Sequence, residues 1–349
     1  MKSYATFTDN LLLWYHDHKR DLPWRGESDP YKIWISEIIL QQTRVQQGWN
    51  YYLRFISEFP NIETLANAPN QEVMRVWQGL GYYSRARNLQ TAAQQILEKF
   101  NGSFPENYED IIGLKGIGPY TAAAIASIAF GKPYFAADGN VFRVISRVFG
   151  ILEDINLPKT KQEIQNRGTK MIQNVNPSDF TQALMEFGAI HCTPKAPLCT
   201  ECPFEMNCFA FKHNMVDLLP QKQNRVNVKN RYLHYLIFAQ NDQLLIEQRT
   251  QKDIWQNLYQ FPLIETFEPN TELQIQDIQT YNIPSISQLE LLNSYKHKLT
   301  HQQLWISFYQ VKEFHYLPKP HQHWVTKEQL SSLGFPIVIA NFIQSIIEK

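Results

Sequence analysis

Leu114-Lys115-Gly116-Ile117-Gly118-Pro119-Tyr120-Thr121-Ala122 is the stretch on which the reading of this chain turns. It lies between two segments whose apolar residues recur at helical spacing. Gly116 and Gly118 permit positive φ and close backbone approach, and Pro119 suits the first turn of a following helix, where its missing N–H is no loss. The expected product is a tight turn with free N–H groups facing outward at a helix N-terminus, which suits a phosphate. The same two glycines would serve a plain helix–turn–helix corner. With Ile111, Leu114 and Ile117 around them they match a helix–hairpin–helix element at about 111–125. Downstream comes Ala137-Asp138-Gly139-Asn140-Val141, then Arg143. Asp138 precedes a helical run, where an aspartate commonly serves as N-cap, a role compatible with that of an active-site carboxylate.

All four cysteines, Cys192, Cys199, Cys202 and Cys208, fall within residues 192–208, with six, two and five positions between them. Thiolates so close together can cage a soft metal centre, and none is left for an ordinary disulfide. The start, Met1-Lys2-Ser3-Tyr4, lacks the apolar core of a signal peptide, which counts against a disulfide-bonded secreted chain. Cys199-x-x-Cys202 is also half of a zinc knuckle, so spacing alone leaves structural zinc and iron–sulfur evenly matched. Lys195, inside the loop, reads equally as a backbone-phosphate contact or a solvated cation.

Trp34-Ile35-Ser36-Glu37-Ile38-Ile39-Leu40-Gln41-Gln42-Thr43 sets one glutamate among bulky apolar residues. These surround the helix too widely for a simple exposed face, so Glu37 is a candidate for desolvation. Burial raises a carboxyl pKa and leaves an acid able to donate a proton near neutrality. The competing reading is a surface glutamate on a polar face with Gln41 and Arg44.

At 349 residues the chain is expected to hold two domains, and 44% hydrophobic with 13% aromatic content indicates well-packed folds. No apolar run reaches the span of a bilayer, so a cytoplasmic, membrane-free protein is expected. A formal net charge of +0 means any nucleic-acid affinity must come from local placement of charge and backbone donors. Residues 1–220 read as helices, including 5–18, 31–47, 71–78, 86–100 and 120–130. Residues 221–231, carrying Lys222, Arg225, Lys229 and Arg231 without an acid, read as a linker. Beyond it, alternating runs at 232–239, 244–248 and 305–311 suggest strands of an α+β domain over 232–349, with a final helix at 337–347.

In their order, the hairpin, the aspartate after it and the cysteine loop resemble the helix–hairpin–helix DNA glycosylases of the endonuclease III superfamily, whose [4Fe–4S] loop has the same cysteine spacing. That resemblance favours iron–sulfur at Cys192, Cys199, Cys202 and Cys208. Ser36-Glu37-x-x-Leu40-Gln41-Gln42-Thr43, after Leu22-Pro23-Trp24-Arg25, resembles the adenine DNA glycosylase (MutY) family within it. Bifunctional relatives place a Schiff-base lysine where this chain has Tyr120, so the resemblance implies a monofunctional enzyme; Lys115, in the turn, is not that lysine. It further implies Glu37 and Asp138 as the catalytic carboxylates, assisted by Tyr120 and Asn140. Arg25 and Gln182 would lie around an extruded adenine, although each reads as readily as a surface residue. Gln42, Thr43, Leu80 and Tyr82 would probe the duplex, with Gly116 and Gly118 on its backbone. Tyr82 and Leu80 have plain alternatives, as turn and core packing.

Trp255-Gln256-Asn257-Leu258-Tyr259-Gln260-Phe261-Pro262 is similar to the entry strand of Nudix-like domains, but the glutamate cluster of Nudix hydrolases does not follow, so no magnesium site is evident. The family resemblance assigns such a domain to recognition of 8-oxoguanine through His297-Lys298-Leu299-Thr300-His301, where relatives often have Phe-Ser-His at 299–301. Thr300 can replace a serine hydroxyl, whereas Leu299 cannot stack as a phenylalanine does. The expected architecture is an all-α helix–hairpin–helix glycosylase domain with a [4Fe–4S] loop, followed by an α+β Nudix-like domain. The expected partner is double-stranded DNA with A opposite 8-oxoguanine or G, met by a monomer. The rivals are an endonuclease III-like enzyme for oxidised pyrimidines, a nucleotide hydrolase or sensor, and a non-catalytic DNA-binding module.

Overall fold

The computed structural model describes residues 2–223, 228–266, 273–279, 286–316 and 318–347. Arg225 of the expected linker lies outside the described residues. The chain forms two compact units, Met1–Asn67 with Asn88–Asn224, and Ala68–Arg87 with Arg225–Lys349. The helices are α1 (Lys2–His18), α2 (Pro30–Leu40), α3 (Val45–Glu58), α4 (Ile62–Asn67), α5 (Asn70–Val76), α6 (Ser84–Phe100), α7 (Tyr108–Ile112), α8 (Pro119–Ile128), α9 (Gly139–Phe149), α10 (Pro158–Ile172), α11 (Pro177–Ile190) and α12 (Phe209–Lys212). Among the described residues no helix is long and apolar enough to cross a membrane.

In the first unit, α2 and α8 pack on each other. Both are apolar nearly all round, which obliges them to be central. Ile33, Trp34, Ile35, Ile38 and Ile39 of α2 are buried, as is all of α8 from Thr121 to Ser127. Asp29 caps α2 by accepting from the Tyr31 N–H at 2.9 Å, with Pro30 in the first turn. The single helix expected over 31–47 is two helices. α2 stops at Leu40, Gln42 takes a left-handed φ of 59°, and α3 starts at Val45. Apolar spacing runs on across the break and hides it.

Only one of the two hairpin glycines uses positive φ. Gly116 has φ 80°, and a Cβ there would stand 2.6 Å from the Asn88 Cβ. Gly118 is extended at φ −98°, ψ 175° and caps α8, and a Cβ added to it would meet nothing within 4 Å. Around α1, α9, α10 and α11 a second core gathers Leu11, Trp14, Val144, Phe180 and Phe187. The cysteine segment, two 3-10 turns at Cys199–Glu201 and Glu205–Asn207 leading into α12, is pinned to that core by Phe204. The Phe204 ring stacks on Phe7 at 4.6 Å and meets Phe187 edge-on at 5.2 Å.

The second unit is a mixed sheet of β1 (Lys229–Gln240), β2 (Gln243–Gln248), β3 (Tyr259–Gln260), β4 (Leu263–Thr266), β5 (Ile286–Lys298), β6 (Gln302–Phe314) and β7 (Gln322–Thr326), with α13 (Ile275–Gln279), α14 (Lys327–Leu330) and α15 (Ile337–Ile347). Strand order is β3-β2-β1-β6-β5, with β4 on β1 and β7 on β2. β1 and β6 run parallel, in register from Lys229↔Gln302 to Phe238↔Val311. β1 begins inside the expected linker because the Lys229 N–H already bonds to the His301 carbonyl at 3.0 Å. α15 covers one face, Phe342 stacking on Phe308 at 3.9 Å. β5 has no counterpart in the strands read from sequence, since its described side chains are largely exposed and mixed in character. Segment 68–87 belongs with this unit, tied by Gln71 Nε2 donating to the Tyr259 hydroxyl at 2.6 Å and the Phe335 N–H to Gln78 Oε1 at 3.2 Å.

The two glycines separate by substitution. Gly116→Ala meets both a left-handed backbone and Asn88, and is expected to lower stability in urea unfolding by about 2 kcal/mol or more. Gly118→Ala is expected within about 0.5 kcal/mol of wild type.

Candidate active site

The break after α2, the start of α8, the N-cap of α9 and the body of α11 open on one cavity of about 520 Å³ in the first unit, enough for one nucleoside. Glu37, Tyr120, Asp138, Asn140, Arg25, Gln182, Gln42 and Thr43 all line it. Residues spread from 25 to 182 are thus brought to one place. No lysine is among the lining residues.

Glu37 keeps some exposure to the cavity and is otherwise enclosed by the apolar body of α2. Burial is the main influence on it and pushes its pKa up to about 7. The Tyr120 hydroxyl, donating to Glu37 Oε2 at 2.8 Å, works against that rise, as does the charge of Arg25, while the charge of Asp138 adds to it. Asp138 is raised too, again chiefly by burial. The Val141 N–H to Oδ1 and Asn140 Nδ2 to Oδ2, both at 2.8 Å, offset part of that rise. The Tyr120 hydroxyl is pushed well up by burial and by the two carboxylates, so it stays a neutral donor. The arrangement pairs a carboxylic acid titrating near neutrality with a second carboxylate fixed by two amide donors.

The wall behind them is ionic. Glu186, 3% exposed, receives Arg20 Nε at 2.6 Å and Arg25 Nη2 at 2.8 Å, while Arg25 Nη1 donates to Gln182 Oε1 at 2.8 Å. Burial alone would raise the Glu186 pKa, but the hydrogen bonds and charges of Arg20 and Arg25 hold it below the ordinary value. Arg20 and Glu186 did not stand out in the sequence. No local pattern marks them, because the two residues stand 166 positions apart in the chain. Arg143, also without an assigned role, donates to Asn140 Oδ1 at 2.9 Å and to the Cys192 carbonyl at 2.8 Å, tying the Asp138 cap to the cysteine segment.

Cys192, Cys199, Cys202 and Cys208 line one small apolar cavity. Among the described residues no three His, Cys, Asp or Glu side chains converge closely enough to hold an ion by themselves. The donor set still fits a soft centre. The Phe204 N–H lies 3.4 Å from Cys202 Sγ and Arg147 Nη1 3.5 Å from Cys192 Sγ, contacts that suit thiolate sulfur. Burial pushes the Cys202 thiol up to about 12, so only a cationic centre would make it a thiolate.

Leu80, Tyr82, Thr300 and His301 are not on the first cavity; they line another, of about 470 Å³, within the second unit. Leu80 is buried there and Tyr82 is exposed, its hydroxyl meeting that of Thr300. Leu299-Thr300-His301 is the turn joining β5 to β6, with the Leu299 N–H on the Gln302 carbonyl at 2.8 Å.

A helical unit with a hairpin glycine turn and a paired-carboxylate cavity is the architecture of a base-excision DNA glycosylase. Residues 35–173 match the HhH-GPD superfamily of base excision DNA repair proteins, and residues 234–345 match the NUDIX domain family. The solved structure of a thermostable thymine-DNA glycosylase is similar with a TM-score of 0.57 and 30% identity, over 61% of this chain and 98% of that one. The adenine DNA glycosylase of Buchnera aphidicola subsp. Baizongia pistaciae is 37% identical over 86% of this chain and 84% of its own. The human adenine DNA glycosylase is 32% identical over 93% and 71%. The chain belongs to the adenine DNA glycosylase family and is a base excision repair enzyme.

Glu186→Gln removes the charge that balances two guanidiniums, one of them largely buried. It is expected to cost about 3 kcal/mol at pH 7. Because the folded-state pKa of Glu186 is depressed, its contribution is full above the unfolded value of about 4.3 and is lost as pH falls through the folded value. Urea unfolding of wild type and variant should therefore converge in acid.

Proposed function

We propose that this enzyme excises adenine opposite 8-oxoguanine, or opposite G, from double-stranded DNA, acting as a monomer and without lyase chemistry. The single observation that carries the reading is that Glu37, whose burial in α2 pushes its carboxyl up to about 7, lines one cavity of nucleoside size together with a second carboxylate, Asp138. The target bond is inaccessible inside a duplex, so the adenine flips into the cavity. Arg25, Gln182 and Asn140 hold it there. Glu37 donates its proton to adenine N7, the C1′–N9 bond breaks, and its electron pair leaves with the base. Asp138 stabilises the resulting oxocarbenium-like sugar, electrostatically or through a transient bond. Glu37, now a carboxylate, takes a proton from the water that adds at C1′, leaving free adenine and an abasic site. Tyr120 keeps Glu37 oriented and offers no amine for a Schiff base, and no lysine on the lining substitutes for it.

Gly116, Gly118 and the start of α8 meet the DNA backbone, and Gln42, Thr43, Leu80 and Tyr82 probe the duplex. The 299–301 turn reads the oxidised guanine, with the Thr300 hydroxyl and His301 supplying its polar contacts. Cys192, Cys199, Cys202 and Cys208 would hold a [4Fe–4S] cluster. Bound there, it would close the segment into a rigid loop. Purified protein is expected to be brown, with about four iron atoms and matching sulfide per chain. A colourless protein holding one zinc would overturn the cluster.

The central test is single-turnover cleavage of a duplex bearing one A opposite 8-oxoguanine. Strand breaks should appear only after alkali, and Glu37→Gln should slow release by at least about 10²-fold. The rate should fall as pH rises through about 7, where Glu37 loses its proton, since the protonated acid is the active form. Cleavage of a thymine-glycol duplex, with no adenine release, would instead favour the endonuclease III-like rival.

A further inference from the structure

Tyr120 has one hydroxyl proton and two acceptors near it. The hydroxyl donates to Glu37 Oε2 at 2.8 Å and lies 3.7 Å from the sulfur of Met185. Met185 stands on α11 and packs, beside Tyr120, against Ala123, Ala124 and Ala136, which fixes where its side chain sits. It is half-buried and lines the catalytic cavity, so small solutes that enter there meet it. Among the other described methionines, Met74 and Met171 are buried, while Met206 is 75% exposed and Met215 half-buried, both away from that cavity. A thioether sulfur is a weak acceptor, so Glu37 keeps the hydrogen bond. Oxidation reverses that ranking. It turns the apolar side chain into a polar sulfoxide, and against a protonated Glu37 the sulfoxide oxygen is the stronger acceptor.

We propose that Met185 is a peroxide-sensitive modification site, whose sulfoxide takes the Tyr120 hydrogen bond from Glu37 and slows base release until it is reduced. The inference rests on the roles given to Glu37 and Tyr120 above. In the forward step a sulfur lone pair takes one oxygen from a hydroperoxide and the O–O bond breaks. The hydroperoxide, reduced by two electrons, leaves as the alcohol after gaining a proton, and the sulfur is oxidised by two electrons. In the reverse step a dithiol becomes a disulfide and the oxygen leaves as water, as methionine sulfoxide reductases achieve. An enzyme that acts on oxidised DNA thus carries its own oxidation sensor one hydrogen bond from its acid.

The test treats wild type and Met185→Leu with tert-butyl hydroperoxide, removes the excess and measures single-turnover adenine release, each protein against its own untreated sample. Peptide mass spectrometry follows the oxygen added at Met185 and at Met206, and iron content is checked throughout. Wild type is expected to slow by about tenfold or more and to recover with methionine sulfoxide reductases and dithiothreitol. Treated Met185→Leu is expected to stay within about twofold of its untreated rate, although its Met206 is oxidised. The Tyr120 hydrogen bond holds Glu37 down against burial, so its loss keeps the proton on to higher pH. The alkaline limb of the oxidised wild type should therefore move up, which a merely obstructed cavity would not cause. In wild type alone, the lost rate must track sulfoxide at Met185 and not at Met206, so the test holds even if Met185→Leu folds poorly. An unchanged rate with Met185 oxidised, an equal loss in Met185→Leu, or an unmoved limb would overturn the proposal. Untreated wild type that releases no adenine, or whose rate does not fall as pH rises through about 7, would instead remove the reading of Glu37 on which it rests.

Discussion

Glu37 is carried on a helix that is apolar almost all round, and the first unit is arranged around the consequences. α2 can be stable only at the centre, with α8 against it, so any carboxyl on it must either find an ion partner or lose its charge. Among the described residues Glu37 has no ion pair. Its relief is the Tyr120 hydroxyl and an opening to one cavity, and burial outweighs both, which keeps its proton on to near neutral pH. An exposed glutamate on the same sequence pattern would be ionised and chemically idle as an acid at that pH.

Asp138 meets the opposite constraint. Its side chain closes the N-terminus of α9 and so is fixed by backbone geometry before any chemistry is asked of it. Asn140 holds its other oxygen, and Arg143 holds Asn140 while reaching the Cys192 carbonyl. The cysteine segment therefore bears on the site through an unbroken run of hydrogen bonds, besides its anchoring by Phe204. Glu186 does comparable work opposite: two arginines that would repel each other are drawn onto one carboxylate, and Arg25 is left with a hand for Gln182.

The second unit solves a different problem. Its sheet buries one face under α15, and the turn between β5 and β6 is held in place because β6 pairs with β1 along ten residue pairs. A loop fixed by long strands can present a hydroxyl at a set position. The strained Asp253–Asn257 stretch brings Trp255 to the same cavity, and segment 68–87 brings Tyr82.

The sequence by itself determined the order of parts and picked out Glu37, Tyr120, Asp138 and Asn140, which line the cavity of the first unit. Helical spacing, Gly116 with Pro119, the Asp138 cap, the cysteine spacing and the residue at position 120 are local signals, written in a few adjacent residues and therefore legible. Only the tertiary structure decided that α2 ends at Leu40, that Gly118 needs no positive φ, that β5 exists, and that 68–87 joins the second unit. It also decided what Glu186, Arg20 and Arg143 touch. The physical reason is the same in each case. A break that preserves apolar spacing, an edge strand with exposed side chains, and an ion pair between residues 20 and 186 leave no local trace, because the energy that specifies them comes from partners distant in the chain.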